Sequence, residues 1–420
     1  MSPTPARACG IDFGTSNSTV GWLRPGTPTL LPLEDGKPTL PSAVFFNADE
    51  ESTHYGRDAL LEYLEGYEGR LMRALKSLLG SSLMDSSTEV GGRALPFKDL
   101  LASFIGELKR RAEAQAERSF EQAVFGRPVY FVDDNPVADQ RAQDTLEAIA
   151  RQVGFRDVSF QFEPIGAALH YEASLTREEL VLIADIGGGT ADFSLVRLSP
   201  ERAQHVDRTG DLLGNAGLHV GGTDFDRALS LECVMPLLGY KGLMKSGAEV
   251  PSGLFFQLAT WHTINFAYTR QAFADFQSIY RDAAARRELD RLARLIGQRE
   301  GHWMALQVEQ AKIDLSTEPS TRLHLDRLEP GLFHDITFEA FTLATRSLVE
   351  RVAATVSELL DQAGLAREQV DTVYFTGGAS GVPQLRARIA AELPHARSVE
   401  GDLFGSIGAG LAVEAARRYG

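Results

Sequence analysis

Apolar residues along the chain follow two periods. Short runs of β-branched and aromatic residues bounded by turn residues predict strands at Ala43 to Phe46, Pro128 to Val132, Leu180 to Ala184, Asp192 to Leu198 and Thr372 to Phe375. Apolar positions spaced three and four apart predict helices at Leu100 to Arg118, Ala138 to Val153, Ala284 to Ile296 and Phe341 to Ala363. In the third, Leu289, Leu292 and Ile296 share one face and Arg and Asp fill the other, so the charged stretch Arg281 to Glu300 reads as a solvated helix face. Ser81 to Ser87 and Ser246 to Gly253 read as loops. Strands and helices interleave throughout, which predicts an α/β fold.

One pattern occurs twice. Ile11-Asp12-Phe13-Gly14-Thr15-Ser16 lies between an N-terminal strand and the β-like Ser18 to Leu23. Ile183-Ala184-Asp185-Ile186-Gly187-Gly188-Gly189-Thr190 lies between Leu180 to Ala184 and Asp192 to Leu198. Both read strand, Asp, Gly-rich turn, hydroxyl residue, strand. The same hairpin 173 residues further on predicts two similar lobes.

Composition narrows the field. The 420 residues are 44% hydrophobic and 24% charged, enough apolar surface for a packed core. Lys and Arg number 42 against 57 Asp and Glu, a formal net charge of −15, so nucleic acid and anionic membranes are poor partners. An anionic ligand must be held by local amides and single cations. Cys9 and Cys233 form neither a CxxC nor a disulfide framework, and the nine histidines show no metal-ligand spacing. The first ten residues lack an apolar signal core, and no apolar run approaches the roughly 18 residues that span a bilayer. These features point to a reducing cytoplasm.

The repeated hairpin carries chemistry. A glycine turn brings backbone N–H groups close to an anion, and a Thr or Ser adds a hydroxyl donor. An Asp just before it repels phosphate unless a cation intervenes, and Mg²⁺ needs only one or two carboxylates. A single such turn is as readily a tight hairpin; two copies favour a triphosphate gripped from both sides, with the metal between Asp12 and Asp185. Val373-Tyr374-Phe375-Thr376-Gly377-Gly378-Ala379-Ser380 is a strand and a glycine pair before a helix near Pro383, which leaves helix N-terminal amides for a nucleotide. Phe162-Glu163-Pro164 sets an acid before a small-residue helix, and Lys76, one of seven lysines, stands at an apolar helix end.

These residues together resemble the actin-like ATPase superfamily, and most closely the nucleotide-binding domain of the 70-kDa heat-shock chaperones, from Gly10 to about Ala416. Gly14, Thr15, Ser16 and Asn17 look like the first phosphate loop, and Gly187, Gly188, Gly189 and Thr190 like the second. Gly221 and Gly222 in His219 to Asp226 are similar to the loop leading into the outer part of the second lobe. Glu309, Lys312, Ile313 and Ser316 look like the adenosine helix, Gly377, Gly378, Ala379 and Gly381 like the adenosine loop, and Asp402 with Gly408 to Gly410 like the closing helix. Lys76 falls where the family has a catalytic lysine and Glu163 where it has a catalytic glutamate, while Pro128 and Arg141 resemble the pair that relays nucleotide state. The resemblance implies lobe I at 1–178, lobe II at 179–396 with an outer helical part at about 226–315, and a closing helix at 397–420, around a central nucleotide cleft. It implies ATP or ADP with Mg²⁺ held at Asp12 and Asp185, and slow in-line hydrolysis using Lys76, Glu163, Asp192 and Thr190.

The departures bear on what is expected. The family's two adenine-stacking arginines correspond to Ile313 and Gly381, an acid is replaced by Thr223, and Asp133 to Asp139 is longer than in the family. The pattern predicts micromolar ATP affinity with weak discrimination against GTP. The sequence given stops at Gly420 without a linker or β-rich substrate-binding domain, so it resembles short YegD-like members: a monomeric nucleotide switch with an unidentified protein partner or client. Within the same superfamily a sugar kinase, an exopolyphosphatase and an actin-like filament protein remain alternatives. The first lacks a clear sugar-facing Asp base, the second gives Lys76 no role, and the third is separated by sedimentation with ATP.

Overall fold

The computed structural model describes residues 8–24, 27–132, 135–205, 207–402 and 405–420. Asp133 and Asp134 of the long stretch, and the first seven residues, lie outside the described residues. The chain divides into two compact units, one of Met1–Leu218, Thr355–Ser380 and Ile389–Gly420, the other of His219–Ala354 and Gly381–Arg388.

The first unit contains the same sheet twice. In one copy Ala8–Phe13 pairs antiparallel with Asn17–Arg24 and parallel with Gln122–Arg127, which pairs parallel with Asp157–Phe162; Thr27–Leu30 extends the hairpin side. In the other Glu179–Ile186 pairs antiparallel with Ala191–Leu198 and parallel with Thr372–Thr376, which pairs parallel with Arg397–Glu400; Leu212–Leu218 extends the hairpin side. Thr39–Pro41 adds a short strand to the first copy. The central strands are covered on both faces, which is why Ala8 to Phe13 and Val181 to Ala184 are buried without alternation. Helices Phe97–Ala116 and Pro136–Gln152 supply Leu101, Phe104, Leu108, Leu146 and Ile149 to the core over the first sheet. Ile165, Ala167 and Ala168 of helix Glu163–Glu172 pack with Val181, Ile183 and Val196 of the second.

Some sequence expectations need correction. The strand expected at Pro128 to Val132 lies at Gln122–Arg127 instead. All six residues pair with Asp157–Phe162 and the first four also with Ala8–Phe13, whereas Pro128 has no N–H to give and Tyr130 beyond it is exposed. The helix expected from Ala284 begins at Arg287, because Ala283 and Ala284 pair with the backbone of Met244 and Leu243. On its otherwise solvated charged face Arg291 is buried, donating to Glu329 at 2.6 Å and to the Leu237 carbonyl. Within Ser81 to Ser87, Ser82–Asp85 winds into a short 3-10 turn.

The second unit carries helices Gly222–Leu229, Gly253–Ala259, Arg270–Asp282, Arg287–Gly297 and Gly301–Asp314, and the hairpin Ser320–His324 with Phe333–Thr337. Phe225 and Phe341 meet edge-on in its core. Among the described residues no helix is long and apolar enough to cross a membrane.

Candidate nucleotide site

The two repeated hairpins bring their acids to equivalent places. Asp12 lies opposite Thr19 at the end of the first hairpin, and Asp185 lies opposite Asp192 at the end of the second. Each acid stands two residues before the first glycine of its turn, Gly14 or Gly187. The turns meet: a Cβ added at Gly188 would overlap Ser16 Oγ. In the second turn Gly187 N donates to the Thr190 carbonyl at 2.9 Å, and Thr190 Oγ1 donates to Asp192 Oδ2 at 2.8 Å. Gly377, in the loop after Thr372–Thr376, completes the group. Its φ of +80° is left-handed, and a Cβ there would run into Asp185 Oδ1 and the Ile186 backbone.

Lys76 comes from a short 3-10 turn, Leu75–Leu78, rather than from a helix end. Its Nζ lies 2.5 Å from Oε1 of Glu163, the first residue of helix Glu163–Glu172. Burial works to lower the Lys76 pKa, but the charges of Glu163, Asp12 and Asp185 outweigh it and hold the ammonium above its ordinary value. Lys76 is therefore a fixed cation. Burial, with repulsion from Glu163, pushes Asp12 up to about 7 against the pull of Lys76. Asp185 is also held well above the ordinary carboxylate range, by burial first and then by Asp192, Glu163 and Asp12.

Four carboxylates thus share the site with Lys76, and two of them resist ionisation. A hard divalent cation reverses both causes, since it replaces lost hydration and cancels like charge. The all-oxygen donor set at Asp12 and Asp185, beside two turns rich in backbone N–H, fits Mg²⁺ better than a softer metal.

The other predicted residues have surroundings of their own. Asp402 is exposed, and its backbone carbonyl accepts from Ser406 Oγ at 2.7 Å at the start of helix Ser406–Tyr419. That helix packs against Ala8–Phe13, Asn17–Arg24 and Glu163–Glu172 through small residues; a Cβ at Gly410 would overlap the Gly166 carbonyl. Arg141 is exposed and pairs with Asp85, whereas the guanidinium at Pro128 is Arg127, held by Asp139 at 2.7 Å and Gln143 at 2.6 Å. In the second unit Gly221 N donates to Asp224 Oδ2 at the start of helix Gly222–Leu229. Lys312 pairs with Asp226 at 2.8 Å, Ser316 Oγ donates to the Lys312 carbonyl, and Ile313 is 53% exposed on helix Gly301–Asp314; Glu309 of that helix is half-buried. Gly378 is exposed and Ala379 buried, and Gly381 belongs to the second unit.

Sequence reasoning missed Ser42. Fully buried, it donates through Oγ to the Gly14 carbonyl at 2.6 Å, while its N–H bonds the Ser16 carbonyl at 2.9 Å, so it fixes the first turn from 26 residues away. Glu50, His54 and Glu62 also bring their ligand atoms within 4.8 Å of one another, a grouping the histidine spacing did not suggest.

Two copies of one five-stranded sheet, each with an acid-bearing hairpin at its centre, define an actin-like α/β fold. The family model for the Hsp70 protein matches residues 8–235 and 298–416, and the chain belongs to the Hsp70 family. The chaperone protein DnaK of Thermotoga petrophila is 27% identical over 386 residues, covering 90% of this chain and 54% of that protein. DnaK of Thermosipho melanesiensis is 26% identical over 394 residues, 92% of this chain and 55% of that protein. DnaK of Halobacterium salinarum is 25% identical over 386 residues, 90% and 51%. The chain spans about half the length of the curated relatives it matches.

Proposed function

We propose that the chain binds ATP and ADP with Mg²⁺, hydrolyses ATP slowly, and acts as a chaperone-type nucleotide switch for a protein partner. The observation that carries this reading is the four-carboxylate cluster around Lys76, set where two Gly-rich turns meet. Membership of the Hsp70 family, and the name chaperone protein DnaK borne by the relatives, support it. Residues 1–178 and 179–396 are the proposed lobes, with 226–315 the outer helical part and 397–420 the closing segment; the protein is proposed to work as a cytoplasmic monomer.

When bound, Mg²⁺ supplies a compact positive charge to the β- and γ-phosphates. Asp12 and Asp185 are the residues to hold it. Backbone amides of Gly14 to Asn17 and Gly187 to Thr190, with the Thr15 and Ser16 hydroxyls, donate to the phosphate oxygens. Gly221, Gly222, Glu309, Lys312, Ile313, Ser316, Gly377 to Ala379, Gly381 and Asp402 are the proposed nucleoside contacts. Lys76 Nζ, kept charged by its three acids, orients the attacking water and meets charge developing on the γ-phosphoryl group. Glu163 fixes the Lys76 ammonium through their 2.5 Å contact. Asp192 orients the Thr190 hydroxyl by accepting its hydrogen bond at 2.8 Å. Phosphate release from ATP tests the reading: turnover is expected in Mg²⁺ and none in EDTA. Turnover indifferent to EDTA, or absent with Mg²⁺ present, contradicts it.

A further inference from the structure

The second unit also contains a cavity lined by none of the proposed nucleotide residues. The two stretches matched by the family leave residues 236–297 between them. A cavity of about 270 Å³ opens there, where helix Arg270–Asp282 starts and helix Arg287–Gly297 ends. Its wall is Tyr268, Phe273 and Ile296, with Arg270 and Arg299 on the same lining. The lining contains no carboxylate, in a chain whose net charge is −15.

The two arginines are set apart by their place on this lining, since Arg281, Arg286 and Arg294 of the same segment also form no ion pair among the described residues. Arg287 and Arg291 both pair with Glu329, and Arg327 pairs with Glu300. Arg270 and Arg299 are exposed and form no ion pair among the described residues. Arg299 also has a left-handed backbone, φ 54°, that side-chain-bearing residues avoid. Beside them the aromatic surface is open: Phe273 of the lining is 49% exposed. Guanidinium groups free of partners at an apolar pocket recognise carboxylates through paired, geometrically matched donors. The volume lies below the roughly 300–1,000 Å³ of pockets that enclose a drug-sized ligand. It suits one large side chain.

We propose that this pocket docks an acidic segment of a partner protein, which inserts one apolar side chain against Phe273 and Ile296 and sets flanking carboxylates on Arg270 and Arg299. The apolar anchor supplies the buried contact and the arginines select for acidic flanks, the division of labour seen where a few anchor residues dominate an interface. The site is independent of the nucleotide reading, since none of its residues belongs to that machinery.

Fluorescence anisotropy with the whole chain tests the inference. The probe is a fluorescein-labelled synthetic peptide bearing one Phe between Asp and Glu residues. Saturable binding is expected, weakened about tenfold or more, which is about 1.4 kcal/mol, in Arg270→Glu, Arg299→Glu and Phe273→Ser. A peptide with Ser for Phe, or Lys for the acids, should bind equally poorly. Arg281→Glu, on the same helix but outside the pocket, should keep the original affinity. No saturable binding by the unmodified chain overturns the proposal. So does equal loss in Arg281→Glu, or equal competition by a single-stranded oligonucleotide, because either marks a general attraction of anions.

Discussion

Asp12→Asn should make the metal-free protein more stable, and only above acidic pH. Asp12 is buried, and its carboxyl sits at about 7 instead of 3.8 because burial and Glu163 disfavour its charge. A carboxyl raised on folding costs nothing below its unfolded value. The cost grows as pH climbs from about 4 to about 7 and is constant above. At about 1.4 kcal/mol per pKa unit, a shift of about three units corresponds to roughly 4 kcal/mol as an upper bound above pH 7. Between pH 5.5 and 7 the change is roughly 2 kcal/mol. Asn keeps the shape and removes the charge, so the variant should gain up to that amount at pH 8 and only roughly 1 kcal/mol at pH 4.5. Carboxylates held low by arginines, such as Glu329 at about 2, lose their partners' help only at more acidic pH and do not mask the window. The assay is urea unfolding in EDTA at pH 4.5, 5.5, 7 and 8, with a parallel series in Mg²⁺ and ATP. Added Mg²⁺ and ATP should stabilise the unmodified protein far more than the variant. A variant less stable than the parent at pH 8 in EDTA, or one whose gain is the same at every pH, refutes the reasoning.

Other perturbations separate catalysis from architecture. Lys76→Ala should lower ATP turnover by about 10²-fold or more, as for loss of a preorganised charge contact, with nucleotide binding largely retained; unchanged turnover removes Lys76 from the mechanism. Arg208→Ala should cost roughly 3–5 kcal/mol, because Arg208 is buried against Glu172 and Asp211 and its loss leaves buried Glu172 without an ion pair, while Asp211 keeps Arg202; urea midpoints measure this. Gly410→Ala should cost roughly 1–3 kcal/mol, since the new methyl overlaps the Gly166 carbonyl and the helix must shift; an unchanged midpoint would show that Ser406–Tyr419 is not packed as described.

The repeated hairpin was legible because its signal is local. An acid, a glycine turn and flanking strands sit within a dozen residues, and the same order recurs at Asp12 and Asp185. Helices Phe97–Ala116 and Phe338–Ala363 were legible for the same reason, long apolar stripes. What escaped depends on distant partners. Gln122–Arg127 looked weaker than Pro128 to Val132 by β-propensity, yet the ladder to Ala8–Phe13 and Asp157–Phe162 decides the strand. Ser42 carries no motif, and its role exists only because the strand Thr39–Pro41 brings it under the first turn. Arg141 was named by resemblance, and the contact of Arg127 with the Pro128 carbonyl carries no signal in the sequence. Lys312 was named through its resemblance to the adenosine helix, and its pairing with Asp226 of a neighbouring helix carries no signal in the sequence.

Calorimetric titration of the unmodified chain with ATP, in Mg²⁺ and again in EDTA, tests the central claim most directly. Saturable binding with a dissociation constant of order 1–100 μM, about −8 to −5 kcal/mol, is expected in Mg²⁺, with marked weakening in EDTA and in Asp185→Asn. Absence of ATP binding in Mg²⁺, or binding that ignores both EDTA and the loss of the Asp185 charge, would contradict the assignment of Asp12, Asp185 and the two glycine turns to a metal-nucleotide site.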